Sequence, residues 1–121
     1  MIVFDTYAWI EYFLGSEKGK TAKKHVDSTE EIAVSSLCLA ELKIKYEKEM
    51  LNPDGRIKFV LSRCIIVDVT AKIALIAAEQ RLKEGLYLID AVMYATALNF
   101  RAKLLTGDKH FEKLEMVEFF K

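Results

Sequence analysis

The chain has few of the residues that mark several classes of protein. Its 121 residues include only two cysteines and one proline. Cys38 and Cys64 lie in apolar surroundings without the spacing of metal ligands, and a secreted disulfide scaffold needs a much higher cysteine density. We therefore expect a protein of a reducing compartment, the cytoplasm.

Long apolar runs and an excess of charge of one sign are absent as well. Residues 1–4 are too short for the apolar core of a signal peptide, and no uncharged run approaches the length that spans a bilayer. Lysine and arginine total 18, as do aspartate and glutamate. The chain as a whole therefore does not attract a polyanion, and any nucleic acid must be bound by local groups.

Apolar residues make up 52% of the sequence. They occur in short and longer segments that alternate along the chain. Its length suits one domain, residues 1–121. The short segments predict strands at residues 2–4, 32–34, 64–69, 103–106 and 116–120. The longer ones predict helices at residues 7–14, 18–26, 36–50, 70–84 and 88–100, with one or two helical turns at 56–62. This alternation predicts an α/β fold, a three-layer α/β/α sandwich with a mostly parallel central sheet.

Four acidic residues stand at positions where a carboxylate is costly unless a cation meets it. Asp5 and Asp108 follow predicted strands, where open parallel sheets place ligand chemistry, and Glu41 and Asp90 lie in apolar helical segments. Carboxylate oxygens are the ligands that Mg²⁺ prefers, and a bound ion can activate water against a phosphodiester. The set predicts a metal-dependent nuclease.

Each acid also has an ordinary structural interpretation. Asp5 can cap the following helix, although Thr6 is equally able to do so. Glu41 can pair with Lys45 on the helix surface. Asp90 can be a first-turn acid that the helix dipole favours, and Asp108 can belong to an everyday Gly-Asp turn. The functional interpretation depends on the four acids meeting in one cleft.

Four segments of the sequence resemble the PIN domain family, in that family's order and spacing. They are Val3-Phe4-Asp5-Thr6 with Ala8-Trp9-Ile10-Glu11; Leu39-Ala40-Glu41-Leu42; Asp90-Ala91-Val92-Met93-Tyr94-Ala95-Thr96-Ala97; and Leu105-Thr106-Gly107-Asp108-Lys109-His110-Phe111. The resemblance covers essentially the whole chain. The toxins of VapBC toxin–antitoxin pairs, called VapC, are the most similar branch.

This resemblance implies a PIN-like, Rossmann-related fold and an Mg²⁺- or Mn²⁺-dependent endoribonuclease. The metal-binding acids correspond to Asp5, Glu41, Asp90 and Asp108, and Thr106 corresponds to a position that orients them. The branch further implies an RNA substrate, a cognate antitoxin that silences the enzyme, a homodimer and no association with membranes. One departure is Tyr7, because the family commonly has a small polar residue there.

Other residues near these segments carry weaker signals. His110 invites a general-acid role, but a lone histidine on a turn is usually solvated, and we leave it out of the catalytic set. Scattered basic residues are candidates for phosphate contacts or plain surface: Lys43, Lys45, Arg101 and Lys109. The aromatic residues Tyr7, Trp9, Tyr12 and Phe13 are candidates for base stacking or an antitoxin helix, although core packing is the simpler interpretation of Trp9 and Phe13.

Two alternatives remain open. A receiver domain for phosphotransfer also has a parallel sheet and an acidic Mg²⁺ pocket, and Asp68 would be its phosphoacceptor. Against this, a receiver needs paired acids after its first strand, whereas Asp5 stands alone there. The second alternative is a PIN-like scaffold that binds RNA without cutting it, which the departure at Tyr7 suggests.

Overall fold

The computed structural model describes residues 1–120, so that Lys121, the last residue of the predicted domain, lies outside the described residues. Five strands form one sheet: β1 (Ile2–Phe4), β2 (Ile32–Ser35), β3 (Ile65–Val67), β4 (Lys103–Thr106) and β5 (Val117–Phe119). Their order is β3-β2-β1-β4-β5, and every neighbouring pair is parallel. The earliest strand therefore lies at the centre of the sheet.

Six α-helices flank this sheet, and their bounds follow the predicted segments closely. They are α1 (Thr6–Leu14), α2 (Gly19–Val26), α3 (Ser36–Lys48), α4 (Asp54–Arg63), α5 (Ala71–Glu84) and α6 (Leu88–Asn99). A short 3-10 helix, Lys109–Phe111, follows β4. Helix α6 packs on β1, β2 and β4, and α1 packs on β1 and β4. The predicted α/β sandwich with a parallel sheet is confirmed, and the sheet among the described residues is wholly parallel.

Local signals in the sequence explain where the helices begin and end. The Asp5 carboxylate accepts a hydrogen bond from the Ala8 backbone N–H at 2.8 Å and so caps α1, the role for which Thr6 was the alternative. Thr70 caps α5 in the same way. Gly15 and Gly85 end α1 and α5 with φ of 67° and 71°, a left-handed backbone that glycine adopts without steric cost.

Two segments differ from the prediction. Residues 54–63 form α4, which is longer than the expected one or two turns, because Pro53 precedes it with helical backbone angles and Asp54 favours its first turn. The prediction of a buried strand at residues 64–69 is wrong. Strand β3 covers three residues at the edge of the sheet, and Ile65 is 43% exposed.

The hydrophobic core lies around β1 and the first turns of α1. Val3, Phe4, Ala8 and Trp9 are fully buried. The Trp9 ring stacks on Phe13, with ring centroids 5.7 Å apart, which confirms core packing for Trp9. Burying one such large apolar side chain contributes about 1.5–3 kcal/mol. The core therefore fixes the end of β1 and, with it, the position of Asp5.

A group of charged side chains that are paired with one another lies near Phe4, whose ring centroid is 6.1 Å from that of His25. The His25 ring has both nitrogens bonded, with Nδ1 2.9 Å from Glu30 Oε2 and Nε2 2.9 Å from Glu118 Oε2. Burial alone would lower the pKa of His25, but the two glutamates raise it above its usual value. Together with Arg63, these residues form what we call the structural cluster: His25, Glu30, Arg63 and Glu118.

Arg63 completes the structural cluster by holding the loop between α2 and β2. Its guanidinium donates hydrogen bonds to four backbone carbonyl oxygens, those of His25, Val26, Ser28 and Glu30, at 2.8–3.1 Å. A planar group with five N–H donors suits such a task, which the single nitrogen of a lysine cannot perform. The cluster ties α2, α4, β5 and the start of β2 together.

Neither thiol chemistry nor a membrane span is a feature of the described residues. Burial raises the pKa of Cys38 and of Cys64 to about 12, so both remain protonated thiols at neutral pH. Among residues 1–120, no helix is both long and apolar enough to cross a membrane.

Candidate active site

A cleft of about 220 Å³ opens where β1 and β4 end and α3 and α6 approach them. Its wall brings together all four of the acidic residues singled out in the sequence. The residues that line it are Asp5, Thr6, Tyr7, Ile10, Glu41, Asp90, Met93 and Asp108. The carboxyl ends of neighbouring parallel strands point to the same edge of a sheet, which is why residues far apart in sequence meet here.

Asp5 is the most deeply buried of the four acids, with 5% of its surface exposed. Burial raises the pKa of its carboxyl from 3.8 to about 7. The Thr106 hydroxyl and the Ala8 N–H oppose this rise, and the negative charges of Asp108 and Asp90 add to it. A carboxyl group in such surroundings is either protonated and neutral or, as an anion, stabilised by a bound cation.

Glu41 reaches the cleft from α3 and is held there by a residue that the sequence did not suggest. The Thr6 hydroxyl donates a hydrogen bond to Glu41 Oε1 at 2.5 Å. The alternative pairing with Lys45 does not occur, because Lys45 bonds Glu49 one turn further on. This hydrogen bond from Thr6, which lies 35 residues earlier in the sequence, therefore holds Glu41 beside Asp5.

Asp90 lies in the first turn of α6 and faces the cleft. Burial raises the pKa of its carboxyl, and the charges of Asp108 and Glu41 raise it further, while His110 lowers it. The helix amino terminus favours an acid at this position, so the structural interpretation also holds. Its apolar neighbours Leu88 and Ile89 are 57% and 43% exposed and give Asp90 little cover.

Asp108 and Thr106 shape the loop after β4. The Thr106 side chain is fully buried, and its hydroxyl oxygen accepts a hydrogen bond from the Asp108 backbone N–H at 3.1 Å. The Asp108 carboxylate in turn accepts a hydrogen bond from the His110 backbone N–H at 2.9 Å and caps the 3-10 helix. Asp108 thus serves the turn and faces the cleft at the same time.

Tyr7 forms one wall of the cleft and explains why residue 107 is a glycine. A Cβ atom on Gly107 would lie 2.6 Å from Tyr7 Cε1 and 2.8 Å from Phe120 Cε2. The Tyr7 and Phe120 rings contact each other with centroids 5.7 Å apart, and the Lys18 ammonium donates to the Tyr7 hydroxyl at 3.3 Å. The family commonly has a small polar residue at the position of Tyr7. In this chain the Tyr7 ring packs beside the turn that carries Asp108.

His110, left out of the predicted catalytic set, lies at the mouth of the cleft. Its Nδ1 is 2.8 Å from Asp108 Oδ1, and its ring stands edge-on to Tyr87 at 5.9 Å. One ligand atom from each of Asp90, Asp108 and His110 lies within 4.8 Å of the other two. The tight 3-10 turn after Asp108 produces this approach, and a Gly-Asp-x-His spacing is the only signal in the sequence that could have indicated it.

Basic residues near the cleft are partly used within the chain. Lys43 and Lys45 form ion pairs with Glu47 and Glu49 on the surface of α3. A groove of about 510 Å³ adjoins the cleft through Glu41, and Lys45 and Lys48 lie along it with Ile44, Glu49 and Ile89. Exposed ion pairs are weak, so an incoming phosphate can compete for these lysines.

Comparison with known proteins agrees with this geometry. The model of the PIN domain family matches residues 2–116. The chain belongs to the PIN domain family. The resemblance seen in the four sequence segments is therefore confirmed. No curated protein sequence matches the chain.

Solved structures of similar PIN-fold proteins come from toxin–antitoxin systems. A toxin–antitoxin complex from Klebsiella pneumoniae has 27% identity and a TM-score of 0.83, over 98% of this chain and 96% of that chain. VapBC2 from Rickettsia felis, bound to a DNA fragment from its promoter, has 22% identity and a TM-score of 0.78, with full coverage of both chains. VapC20 from Mycobacterium tuberculosis, a toxin that cleaves the sarcin–ricin loop, has 18% identity and a TM-score of 0.79, also with full coverage.

The arrangement is suited to holding a cation against an anion. Four carboxyl groups share one cleft, the pKa values of Asp5 and Asp90 are raised, and lysines lie along the adjoining groove. The cleft therefore concentrates negative charge, and the adjoining groove contains the side chains of Lys45 and Lys48 together with those of Glu41 and Glu49.

Proposed function

We propose that this PIN domain, residues 1–121, is a divalent-metal-dependent endoribonuclease and the toxin of a type II toxin–antitoxin pair. The observation that carries the proposal is the cleft in which Asp5, Glu41, Asp90 and Asp108 meet with raised pKa values at Asp5 and Asp90. Such crowding of carboxylates costs stability unless a cation relieves it.

The donor set fits Mg²⁺ or Mn²⁺, since both ions favour carboxylate oxygens. Asp5, Glu41, Asp90 and Asp108 would hold the ion, and when bound it supplies activation of water and neutralisation of the charge on the leaving oxygen. Thr6 orients Glu41, and Thr106 holds the backbone of Asp108. These hydrogen bonds fix the carboxylates before substrate arrives, which lowers the cost of assembling the site.

RNA is the proposed substrate, and products with 3′-hydroxyl and 5′-phosphate ends follow from the family resemblance. The groove beside Glu41 would take nucleotides that flank the cut phosphodiester, with Lys45 and Lys48 against the backbone. This part of the proposal is supported by the VapC20 neighbour, whose own target is an RNA loop.

A cognate antitoxin and a second copy of the chain are the proposed protein partners, in the cytoplasm. The Klebsiella and Rickettsia neighbours come from complexes of a toxin with its antitoxin, which supports the first partner. Exposed apolar side chains on α5, among them Leu75 at 68% and Leu82 at 88%, support a surface that a partner covers.

The test of the enzyme proposal is cleavage of RNA by the variant Asp90→Asn, which removes a charge but little volume. We expect Mn²⁺-stimulated cleavage to be abolished while the circular dichroism spectrum and melting curve stay native. Asp68→Asn is the matched control, because Asp68 is exposed after β3 and does not line the cleft. Full activity in Asp90→Asn would refute the proposal.

The same pair of variants separates the alternatives. A receiver domain would be labelled at Asp68 by a small phosphodonor and would lose the label in Asp68→Asn. A scaffold that binds RNA without cutting it would retain RNA in a binding assay, with no cleavage by the wild-type chain in Mn²⁺. The position of Asp68 outside the cleft argues against the receiver.

A further inference from the structure

His110 occupies a place beside the acidic cleft that its turn does not require. The backbone N–H of His110 already donates to Asp108 Oδ1 at 2.9 Å, and this bond closes the 3-10 turn. The ring adds a second contact to the same oxygen at 2.8 Å. Because the imidazole side chain is 61% exposed, it has room to turn without disturbing the fold.

The distances around His110 are those of a group that can share one ion. Ligand atoms of Asp90, Asp108 and His110 lie within 4.8 Å of one another. Among residues 1–120, no other three histidine, cysteine, aspartate or glutamate residues bring their ligand atoms this close together. Ligands on opposite sides of an ion with bonds of about 2.1 Å lie about 4.2 Å apart. Only a small movement of side chains is needed to close the group around a cation.

We propose that the His110 imidazole is a nitrogen ligand in the carboxylate site of this chain, so that the site favours Mn²⁺ over Mg²⁺. The inference rests on the proposed metal-dependent function. Carboxylates suit both ions. Mn²⁺ is the weakest binder of nitrogen among the divalent first-row transition ions, but it accepts an imidazole nitrogen more readily than the harder Mg²⁺ does. Asp90 and Asp108 supply the oxygen ligands that complete the mixed set with His110.

A simpler role for His110 is a hydrogen bond that orients Asp108 from outside the ion's ligand set. This role predicts that only oxygen atoms are bonded to the ion. A ligand role predicts a nitrogen bonded to the ion. The two roles therefore differ in a quantity that can be measured without any cleavage assay.

The experiment uses pulsed electron paramagnetic resonance of Mn²⁺ bound to chain labelled with ¹⁵N-histidine. The chain contains two histidines, which makes the assignment direct. We expect the wild type to show coupling of Mn²⁺ to a directly bonded ¹⁵N, and we expect His110→Gln to lose it. The matched control His25→Gln must retain it, because both nitrogens of His25 are already bonded to glutamates in the structural cluster.

Calorimetric titration gives a second measure with the same variants. The ratio of Mn²⁺ to Mg²⁺ affinity should fall in His110→Gln, because the variant loses the nitrogen ligand that distinguishes the two ions. Glutamine keeps a polar side chain and offers an oxygen, so Mg²⁺ binding should be retained. The ratio in His25→Gln should equal that of the wild type.

The outcomes distinguish this inference from the proposed function. If Mn²⁺ binds the wild type with no ¹⁵N coupling, or if coupling persists in His110→Gln, the histidine inference is overturned and the metal-dependent nuclease stands. If Mn²⁺ does not bind the wild type at all, both are overturned. Loss of coupling in His110→Gln alone, with a lower Mn²⁺ to Mg²⁺ ratio, supports the ligand role.

Discussion

The structural cluster and the cleft both gather charged side chains, but they differ in how those charges are paired. In the structural cluster, His25 lies between Glu30 and Glu118, and Arg63 meets four carbonyl oxygens. In the cleft, Asp5, Glu41 and Asp108 accept hydrogen bonds from neutral groups, and among residues 1–120 no lysine or arginine forms an ion pair with any of the four acids. One region has its charges paired within the chain, whereas the other brings like charges together.

The difference teaches how to separate structural from functional charge. A buried charged group that is fully paired contributes to folding, and its removal leaves unsatisfied partners behind. A crowded group of like charges costs folding energy, and its removal relieves that cost while it destroys a binding site. Substitutions in the two regions should therefore change stability in opposite directions.

The largest change should come from Arg63→Ala in the structural cluster. Four carbonyl oxygens lose a charged donor, and we expect the free energy of unfolding to fall by about 3 kcal/mol. Urea denaturation measures this value. The exposed Lys58→Ala on the same helix is the control for helix propensity and should change stability by less than about 0.5 kcal/mol. If both variants lowered the free energy of unfolding equally, the hydrogen bonds of Arg63 would make no contribution to stability.

Asp5→Asn in the cleft should raise the free energy of unfolding, whereas Arg63→Ala should lower it. Asparagine can still cap α1 through its side-chain oxygen but carries no charge. We expect the metal-free variant to be more stable than the wild type by about 2 kcal/mol at pH 8, since the wild type must ionise Asp5 in a buried site.

The same variant has a specific pH dependence. The pKa of Asp5 is about 7 in the folded chain, above its ordinary 3.8, so between these values the folded state binds more protons than the unfolded state. The stability of the metal-free wild type therefore falls as pH rises from about 4 to about 7. Thermal melts across this window should show a shallower fall in Asp5→Asn. A wild type whose stability is independent of pH there would contradict the crowding argument.

The smallest change should come from His25→Gln. Its glutamate partners raise the pKa of His25, so its contribution to stability is fully present below about pH 6.5 and is lost as pH rises through the raised value. We expect the variant to be less stable by about 1 kcal/mol below that pH and to match the wild type more closely above it.

Saturating Mg²⁺ should separate the pH dependence of stability that arises from Asp5 from the pH dependence that arises from His25. The ion should remove the pH dependence that arises from Asp5, because it favours the ionised carboxylate, and leave that of His25 unchanged. Nuclear magnetic resonance titration of the His25 ring, with and without Mg²⁺, provides the measurement. A His25 pKa that moves with Mg²⁺ would mean that the two regions are coupled.

Much of the fold could be predicted because local signals agreed with each other. Strand segments alternate with helical ones, and Asp5, Thr70, Gly15 and Gly85 mark helix ends by their capping chemistry. The exposure of β3 could not be predicted, because apolar composition does not tell an edge strand from a central one. That distinction depends on strand order, which the sequence pattern leaves open.

The meeting of the acidic residues in one cleft could be predicted in part for the same reason. Asp5 and Asp108 follow strands, so that the geometry of parallel sheets brings them to one edge. The bond from Thr6 to Glu41 spans 35 residues, and no local pattern encodes it. The approach of the His110 ring to Asp108 could not be predicted, because a surface histidine on a turn has no distinctive spacing until the conformation of the turn is known.

The central position of β1 has a consequence for how this protein is made. Ile2 lies opposite Lys103, so β1 gains its second neighbouring strand only after β4 has been synthesised. Asp5 leaves the ribosome early and Asp108 late, and the loop that carries Asp108 packs against Phe120. A chain synthesised only as far as α6 therefore lacks β4 and the loop of Asp108, and the four acids can meet in one cleft only after both have been made.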